Sequence, residues 1–291
     1  MMKVDVFILV YHPVDKFLSL LHMLERQKGA TFTVHIVDSA AMGTEYKEAL
    51  NELDSTTYKK ISASSFNHGG TRQQCLEENP DSDISIFFTQ DAVPADDHTI
   101  ANIIETFADP SVGCAYGRQL PHSDANPFAR FARFFNYKDT SYTYCFADRA
   151  EHGIKTVFCS DSFAAYRYRA MKEIGGFPKN VILSEDMYVA AKMLIAGWKI
   201  SYSAEAKVLH SHNYSIIEEF KRYYSIGIFH GQEPWIRRTF GNAEGEGKRY
   251  IMKEFAYIYK ISWRLVPEMM IRDAIKYIGY KIGNIHSVFT H

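Results

Sequence analysis

The sequence predicts an α/β protein with a Rossmann-like, mainly parallel central sheet, flanking helices and a helical C-terminal extension. Three observations lead to this prediction. Over the first 120 residues, short runs of β-branched and aromatic residues alternate with stretches of helical period. A chain of 291 residues with 46% hydrophobic residues is long enough to bury one large core. Beyond residue 215 the pattern is helical.

The first 120 residues are expected to hold five strands and their connecting helices. The first strand, at 4–11, is a nearly continuous apolar run, as is typical of a strand buried on both faces. The first helix, at 17–27, places Leu18, Leu21 and Leu24 on one face. The other strands are predicted at 33–38, 58–62, 84–89 and 112–119, and the other helices at 44–53, 70–79 and 97–108.

The pattern changes after residue 120. The aromatic and polar stretch 128–144 has no clear period, and we expect a loop over a functional site there. We predict a domain over 1–215, with its two halves meeting near residue 120, and a separate helical extension over 216–291. Ordered segments are predicted at 156–159 and 163–168, a helix at 184–196, strands at 199–202 and 207–210, and helices after 215 that are interrupted at 241–247 and at Pro267.

Composition and missing motifs exclude several classes of protein. Thirty-three basic against 34 acidic residues give a net charge of -1, so we expect no nucleic-acid partner. No apolar run has the length of a membrane span or the form of a signal peptide, which predicts a cytoplasmic chain. The four cysteines are widely spaced, so reduced thiols are expected. Dehydrogenases, P-loop enzymes and common hydrolases are disfavoured, because GxGxxG, a complete Walker A, HExxH and a nucleophile elbow are missing.

Two aspartates directly follow predicted strands. Asp38 ends the second strand, and Asp91 follows the apolar strand at 84–89. Ligands of parallel sheets gather beyond the carboxyl ends of the strands, so both side chains are expected in one crevice. Each residue taken alone also fits a simple turn or helix cap.

Residues 66–72, with the sequence FNHGGTR, place His68, Gly69 and Gly70 just before a predicted helix. Free backbone N–H groups and the helix dipole favour an anion at such a position, and Arg72 adds a positive charge. The alternative is a glycine turn that leads into the helix.

A helix is expected to begin at Ser184, with Glu185 and Asp186 in its first turn. Ser184 is the expected N-cap, and capping alone explains all three residues. A carboxylate held on a rigid helix start is, however, also what a general base requires.

His210 and His212 flank Ser211 at the end of the last predicted strand. Alternate residues of a strand share a face, so both imidazoles are expected to point into the same space. Such a pair can hold a metal ion, but on its own it is more often a pair of ordinary histidines.

Taken in chain order, eight segments resemble the motifs of inverting family-two glycosyltransferases of the GT-A fold. The most similar branch is that of the bacterial rhamnosyltransferases that extend cell-surface polysaccharides, and the resemblance covers about residues 3–215. The segments are Asp38, FNHGGTR at 66–72, TQDA at 89–92, CSDSFAAYR at 159–167, IGGF at 174–177, SEDM at 184–187, Gly197-Trp198 and His210-Ser211-His212.

The resemblance implies that residues 1–120 bind a nucleotide-sugar donor and that residues 121–215 bind the acceptor. Asp38 would hydrogen-bond the pyrimidine base, and Tyr11 and Pro13 would wall the same pocket. The other residues that the resemblance assigns to donor binding are His68, Gly69, Gly70, Arg72, Gln90, Asp161, Ser162 and Glu185.

The resemblance also implies a divalent metal and a general base. The family's DxD motif reads Thr89-Gln90-Asp91 here, so its first acid is missing and Asp91 would be the direct ligand. His210 lies 24 residues after Asp186, a spacing at which relatives supply a histidine ligand, and it ranks above His212. Oxygen and imidazole ligands suit Mn²⁺ or Mg²⁺. Asp186 would take the proton of the acceptor hydroxyl.

The function implied is the transfer of L-rhamnose from dTDP-β-L-rhamnose to a polyprenyl-diphosphate-linked glycan, with inversion to an α-L-rhamnoside. One alternative keeps this mechanism with a UDP- or GDP-hexose donor. Another is an inactive subunit that binds a nucleotide-sugar or a glycan, which the incomplete DxD motif favours. A nucleotidyltransferase is a third alternative, since it also uses acids at strand ends.

The C-terminal tail suggests a membrane-bound acceptor. From residue 248 to residue 281 it holds eight basic residues and three acids, interleaved with aromatic and aliphatic side chains. Such helices suit the anionic inner leaflet, which predicts a peripheral location on the inner face of the cell membrane. A helical cap packed on the domain and a homodimer contact are the alternatives.

Overall fold

The computed structural model describes residues 2–53, 55–179, 181, 183–241 and 244–289. The strands are β1 (Val4–Val10), β2 (Thr33–Asp38), β3 (Thr56–Lys60), β4 (Ile84–Thr89), β5 (Val93–Pro94), β6 (Val112–Leu120), β7 (Tyr142–Tyr144), β8 (Phe163–Arg167) and β9 (Lys199–Leu209). The helices are α1 (Asp15–Glu25), α2 (Thr44–Leu50), α3 (His68–Glu78), α4 (Thr99–Glu105), α5 (Pro127–Asn136), α6 (Arg149–His152), α7 (Tyr168–Ile174), α8 (Glu185–Ile195), α9 (Ile216–Gln232), α10 (Pro234–Phe240), α11 (Glu244–Ile261) and α12 (Val266–Phe289).

The strands form one mixed sheet in the order β3-β2-β1-β4-β8-β6-β9-β5, with β7 beside β9. Strands β1 to β4 are parallel, and so are β6 and β9. Between these groups, β8 runs antiparallel to both β4 and β6. The carboxyl ends of β4, β6 and β9 therefore lie at the same edge as the residues that precede β8.

A hydrophobic core lies on each face of the sheet. Helices α1 and α4 cover one face with residues such as Leu21 and Ile103. Helices α3, α7 and α8 cover the other face with residues such as Leu76, Met171 and Leu194. Because both faces are covered, the central strands β1 and β4 are mostly apolar, which confirms the predicted α/β fold with helices on both sides.

The stretch 128–144 was expected to be a loop, and that expectation is wrong. It contains most of α5 and strand β7. Asn126 caps α5 by accepting the backbone N–H of Ala129, and Pro127 occupies the first turn. Phe128, Phe131 and Phe135 form the buried face of the helix.

Other differences are smaller. The two strands predicted at 199–202 and 207–210 are one strand, β9, whose pairing with β6 is irregular between Gly117 and Arg118. The predicted segment 156–159 overlaps the end of a 3₁₀-helix, Gly153–Val157. The interruption predicted at 241–247 is shorter, because α11 begins at Glu244, and residues 242 and 243 lie outside the described residues.

The C-terminal helices pack closely on one another. A Cβ atom at Gly283 of α12 would lie 2.0 Å from the backbone oxygen of Tyr224 on α9, so the two backbones meet without a side chain between them. In the part of the chain that the structure describes, we find no helix that is both long and apolar enough to span a bilayer.

Candidate active site

A cavity of about 470 Å³ opens at the edge where β4, β6 and β9 end. Its lining includes the first turn of α3, the end of β4 with Asp91 beyond it, the residues before β8, the start of α8 and the two histidines that follow β9. Nine of the fifteen site residues predicted from the sequence lie in this lining. They are His68, Arg72, Asp91, Asp161, Ser162, Glu185, Asp186, His210 and His212.

Asp91, His210 and His212 form a cluster of metal-ligand type, with one ligand atom from each residue within 4.8 Å of the others. Asp91 Oδ1 lies 3.5 Å from His210 Nε2, and Asp91 Oδ2 lies 3.6 Å from His212 Nδ1. Burial, followed by the charge of Arg133, holds the pKa of His210 well below its ordinary value. A neutral imidazole has a lone pair to offer to a metal, so the cluster suits a divalent cation.

The surroundings of the cluster hold its ligands in place. His210 Nδ1 lies 2.8 Å from the side-chain oxygen of Gln119, the penultimate residue of β6. His122 Nε2 donates to the backbone carbonyl of Asp91 over 3.0 Å. Thr89 occupies the position of the missing first acid, and its buried hydroxyl has no hydrogen-bond partner among residues 2–53, 55–179, 181, 183–241 and 244–289.

A second cluster unites three carboxylates around one buried guanidinium. Arg72 Nε lies 3.1 Å from Asp161 Oδ2, and Arg72 Nη1 lies 2.9 Å from Glu185 Oε1. Asp186 joins them through its Oδ2, which accepts the backbone N–H of Asp161 over 3.2 Å. Tyr166 donates its hydroxyl to Asp161 Oδ1. The expected contact between Arg72 and an anionic ligand stays a prediction, since its guanidinium is already shared by two carboxylates.

Burial is the main influence on the acids of this cluster. It raises the pKa of Asp186 to about 6, and the charge of Glu185 adds to this shift. Burial also raises the pKa of Asp161, although Arg72 opposes the shift. Asp186 is therefore ionised at neutral pH, yet it holds a proton more readily than an exposed aspartate, which suits a general base.

The start of α8 is not capped as the sequence predicts. Ser184 adopts a left-handed conformation with a φ of 71°, and its side chain makes no capping hydrogen bond. Asp186 instead accepts the backbone N–H of Met187 over 2.7 Å. A non-glycine residue in this region is strained, and such strain is concentrated at functional sites.

The remaining six predicted residues do not line the cavity: Tyr11, Pro13, Asp38, Gly69, Gly70 and Gln90. Asp38 is buried, and its carboxylate accepts the backbone N–H groups of Ala40 and Met42 and the hydroxyl of Tyr58. These hydrogen bonds hold the pKa of Asp38 below its ordinary value, although burial opposes them. In this structure Asp38 shapes the turn after β2, and its contact with a base stays a prediction.

Gln90 and the two glycines connect neighbouring segments. The Gln90 side chain accepts the N–H of Tyr11 over 2.8 Å and donates to the Tyr11 carbonyl over 2.9 Å, which joins the ends of β1 and β4. A Cβ atom at Gly69 would lie 2.0 Å from the backbone oxygen of Pro178. Glycine at position 69 thus allows α3 to contact the segment that leads to α8.

The C-terminal helices form one wall of the cavity. Tyr223 of α9, Tyr250 of α11 and Lys276 of α12 all line it. Arg272 also lines it and lies 3.2 Å from Glu219 Oε2 on α9. The wall crosses the boundary expected at residue 215, so the division into a domain and a separate extension stays a prediction.

Sequence reasoning missed several residues at this site. Gln119 lies near the end of β6, so the strand-end rule that singled out Asp91 also applies to it. His122 follows the same strand. Arg133 and Arg222 line the cavity from helices α5 and α9, and no motif in the sequence identifies them.

The fold and the cavity define a glycosyltransferase of the GT-A class. The family model described as "Glycosyltransferase like family 2" matches residues 2–224, and the chain belongs to that family. The chain is 42% identical over 282 residues to the O-antigen chain rhamnosyltransferase RfbN of Salmonella typhimurium, an alignment that covers 97% of this chain and 90% of the relative. It is also 42% identical to the O-antigen chain rhamnosyltransferase WbaN of Salmonella anatum, over 90% of this chain and 82% of the relative.

Solved structures show the same fold at low sequence identity. The mannosyltransferase PcManGT of Pyrobaculum calidifontis, in complex with GDP-Man and Mn²⁺, matches with a TM-score of 0.65 and 14% identity, over 97% of this chain and 87% of that protein. TarS of S. aureus, in complex with UDP-GlcNAc, matches with a TM-score of 0.58 and 15% identity, over 100% of this chain and 93% of that protein.

Replacing Arg72 by Met is expected to lower the free energy of unfolding by about 3–5 kcal/mol at pH 8, because Asp161 and Glu185 lose their buried counter-charge. A carboxyl group whose pKa is raised on folding contributes less to the stability of the protein as the pH rises. The free energy of unfolding lost by Arg72→Met should therefore be smaller at pH 5.5 than at pH 8. Urea denaturation at both pH values measures this. Arg26→Met, at an exposed arginine, is the control. An equal loss at both pH values would contradict the proposed cause.

Proposed function

We propose that this protein is an inverting rhamnosyltransferase that moves L-rhamnose from dTDP-β-L-rhamnose to a lipid-linked glycan of the O-antigen type. One observation carries the proposal: the metal-type cluster of Asp91, His210 and His212 and the carboxylate of Asp186 line the same cavity. The choice of rhamnose rests on the two relatives, which are both named O-antigen chain rhamnosyltransferases.

Asp91, His210 and His212 are proposed to hold a divalent ion. A carboxylate with two imidazoles favours Mn²⁺ over Mg²⁺, and the PcManGT complex contains Mn²⁺. When bound, the ion neutralises negative charge on the departing diphosphate. Arg133 and Arg222 line the same cavity and offer guanidinium donors to an anionic ligand.

The nucleoside of the donor is proposed to lie beyond the ends of β1 and β2. Tyr11 is 56% exposed there, so its ring is available to pack against a base. The Gln90 side chain fixes the backbone of Tyr11, and the Tyr46 hydroxyl donates to the carbonyl of Pro13. Asp38 holds the adjacent turn in shape.

Asp186 is proposed to act as the general base. As the acceptor oxygen attacks the anomeric carbon, its proton passes to the carboxylate of Asp186. The new carbon–oxygen bond forms on the face of the sugar opposite the diphosphate. The bond between the anomeric carbon and the diphosphate oxygen breaks, and its electron pair leaves with the diphosphate. Inversion follows from this geometry. Asp161 and Ser162 adjoin Asp186 in the lining, where they are proposed to contact the sugars.

The outer surface of α11 and α12 is proposed to dock on the anionic inner leaflet, where a polyprenyl-diphosphate-linked acceptor is presented. Both helices expose apolar stripes that include Phe255 and Tyr259 on α11, Trp263 just after it, and Tyr277 and Ile282 on α12. The exposed basic residues of the segment 248–281 are Lys248, Arg249, Lys253, Lys260, Arg264 and Lys281.

The exposed charge of this segment is more positive than the sequence count suggests. Arg272 and Lys276 are buried beside the cavity, and the acids Glu254, Glu268 and Asp273 are buried or half-buried. A surface that combines apolar side chains with an excess of cations favours an anionic bilayer over a second copy of itself, because the cations of two copies would repel.

Purified protein with Mn²⁺ is expected to release dTDP from dTDP-rhamnose and to transfer the sugar to a polyprenyl-diphosphate-linked glycan. UDP- and GDP-hexoses, the alternative donors, are expected to react at least tenfold more slowly. Nucleoside diphosphate release and mass spectrometry of the product measure both reactions.

Preferred use of a UDP- or GDP-hexose would reject rhamnose as the sugar. Binding of donors without turnover of any would favour the inactive-subunit alternative, and release of pyrophosphate would indicate a nucleotidyltransferase.

Asp186→Asn is expected to bind donor normally and to lose turnover by about 10²–10⁴-fold, because the base is removed. In the unaltered enzyme, kcat/KM should rise with pH through about 6, as Asp186 loses its proton. Steady-state kinetics and donor titration check this. Asp139→Asn, at an exposed carboxylate outside the cavity lining, is the control. Near-normal turnover of Asp186→Asn would remove this residue from the mechanism.

For the membrane surface, flotation on phosphatidylethanolamine–phosphatidylglycerol vesicles is expected to exceed flotation on phosphatidylcholine vesicles and to fall with salt. The double variant Tyr259→Ser, Trp263→Ser should bind about 10-fold to 100-fold more weakly, because two large apolar groups are lost. Ile195→Ser, at an exposed residue of α8, is the control. Unchanged flotation would reject this surface, and a dimer seen by ultracentrifugation that the double variant dissociates would favour the homodimer instead.

A further inference from the structure

The side chain of Gln119 is clamped by three neighbours behind the metal-type cluster. It is 1% exposed. Its amide nitrogen donates to Ser160 Oγ over 2.9 Å, and its amide oxygen accepts from Arg133 Nη1 and lies 2.8 Å from His210 Nδ1. Gln119 does not line the cavity itself, so its contact with His210 is made from behind.

The contact with Arg133 decides the orientation of the amide. A guanidinium can only donate hydrogen bonds, so the atom of Gln119 that faces Arg133 must be the oxygen. The same oxygen faces His210 Nδ1, which must therefore carry the proton and donate. In a neutral imidazole the other nitrogen then has the lone pair, so Nε2 is the atom of His210 that is free to bind a cation.

The position of Nε2 supports this assignment. It is buried, it has no hydrogen-bond partner within the described parts of the chain, and it lies 3.5 Å from Asp91 Oδ1. A lone pair that faces a carboxylate oxygen without a proton between them is electrostatically unfavourable. A cation shared by the two atoms removes the repulsion.

We propose that Gln119 is a positioning residue that fixes the tautomer and the ring orientation of His210 for metal binding. Arg133 and Ser160 hold the amide of Gln119 in this orientation. The inference rests on the proposed metal site and adds the group that prepares its histidine. A hydrogen-bond acceptor behind a metal-bound imidazole typically changes metal affinity by about 10-fold to 100-fold. A carboxylate at position 119 would still accept from both His210 and Arg133.

The test compares Gln119→Leu, which removes the acceptor, with Gln119→Glu, which keeps it. Mn²⁺ affinity is measured by calorimetry on the full chain without donor. We expect Gln119→Leu to bind Mn²⁺ about 10-fold to 100-fold more weakly and Gln119→Glu to bind at least as tightly as the unaltered protein. Gln74→Leu, at an exposed glutamine of α3, is the control. Unchanged affinity in Gln119→Leu would overturn the proposal.

A second readout needs neither bound metal nor a variant of Gln119. Nitrogen-15 NMR of the metal-free, unaltered protein reports which imidazole nitrogen of His210 carries the proton, with the signal assigned by its loss in His210→Asn. A proton on Nδ1 supports the proposal, and a proton on Nε2 overturns it. If the protein binds no Mn²⁺ but shows the Nδ1–H tautomer, the metal site fails while the positioning by Gln119 stands.

Discussion

The arrangement of the sheet edge at which the cavity opens depends on the guanidinium of Arg72. It is 3% exposed and lies between Asp161 and Glu185, which come from segments that are distant in the sequence. A buried charge must be paired, so these ion pairs stabilise one arrangement of α3, the residues before β8 and the start of α8. Burial within this cluster, with the charge of Glu185 adding to its effect, raises the pKa of Asp186, so this residue binds a proton more readily than an exposed aspartate would.

Two zones of opposite character share the cavity. One holds the carboxylates around Arg72, and the other holds the imidazoles of His210 and His212 with the guanidinium groups of Arg133 and Arg222 nearby. An anionic donor beside the second zone and an acceptor hydroxyl beside the first would match this division. The antiparallel direction of β8 makes the division possible, because it brings the start of that strand to the edge where β4 and β9 end.

The sequence predicts the elements whose pattern is local. The apolar strands β1, β2 and β4 are found within one residue of their expected ends, because burial on both faces leaves a continuous apolar run. Helix α5 was missed because arginines interrupt the helical spacing of its aromatic residues. The Asn126-Pro127 pair is nevertheless a typical helix N-terminus. For the site, the strand-end rule found Asp91 and His210. That rule does not predict that the hydrogen-bond acceptors of Asp38 are already used within the protein. Nor does it predict that helices beyond residue 215 line the cavity. Both facts depend on tertiary packing.

Because the C-terminal helices form one wall of the cavity, they cannot be exchanged between related enzymes without changing the active site. A chimaera joined at residue 215 would take a quarter of the cavity lining, including the pair of Arg272 and Glu219, from the parent that supplies the C-terminal helices. Changes in this part of the cavity wall and changes in the outer surface of α11 and α12 would therefore be linked during divergence, because the same two helices carry both.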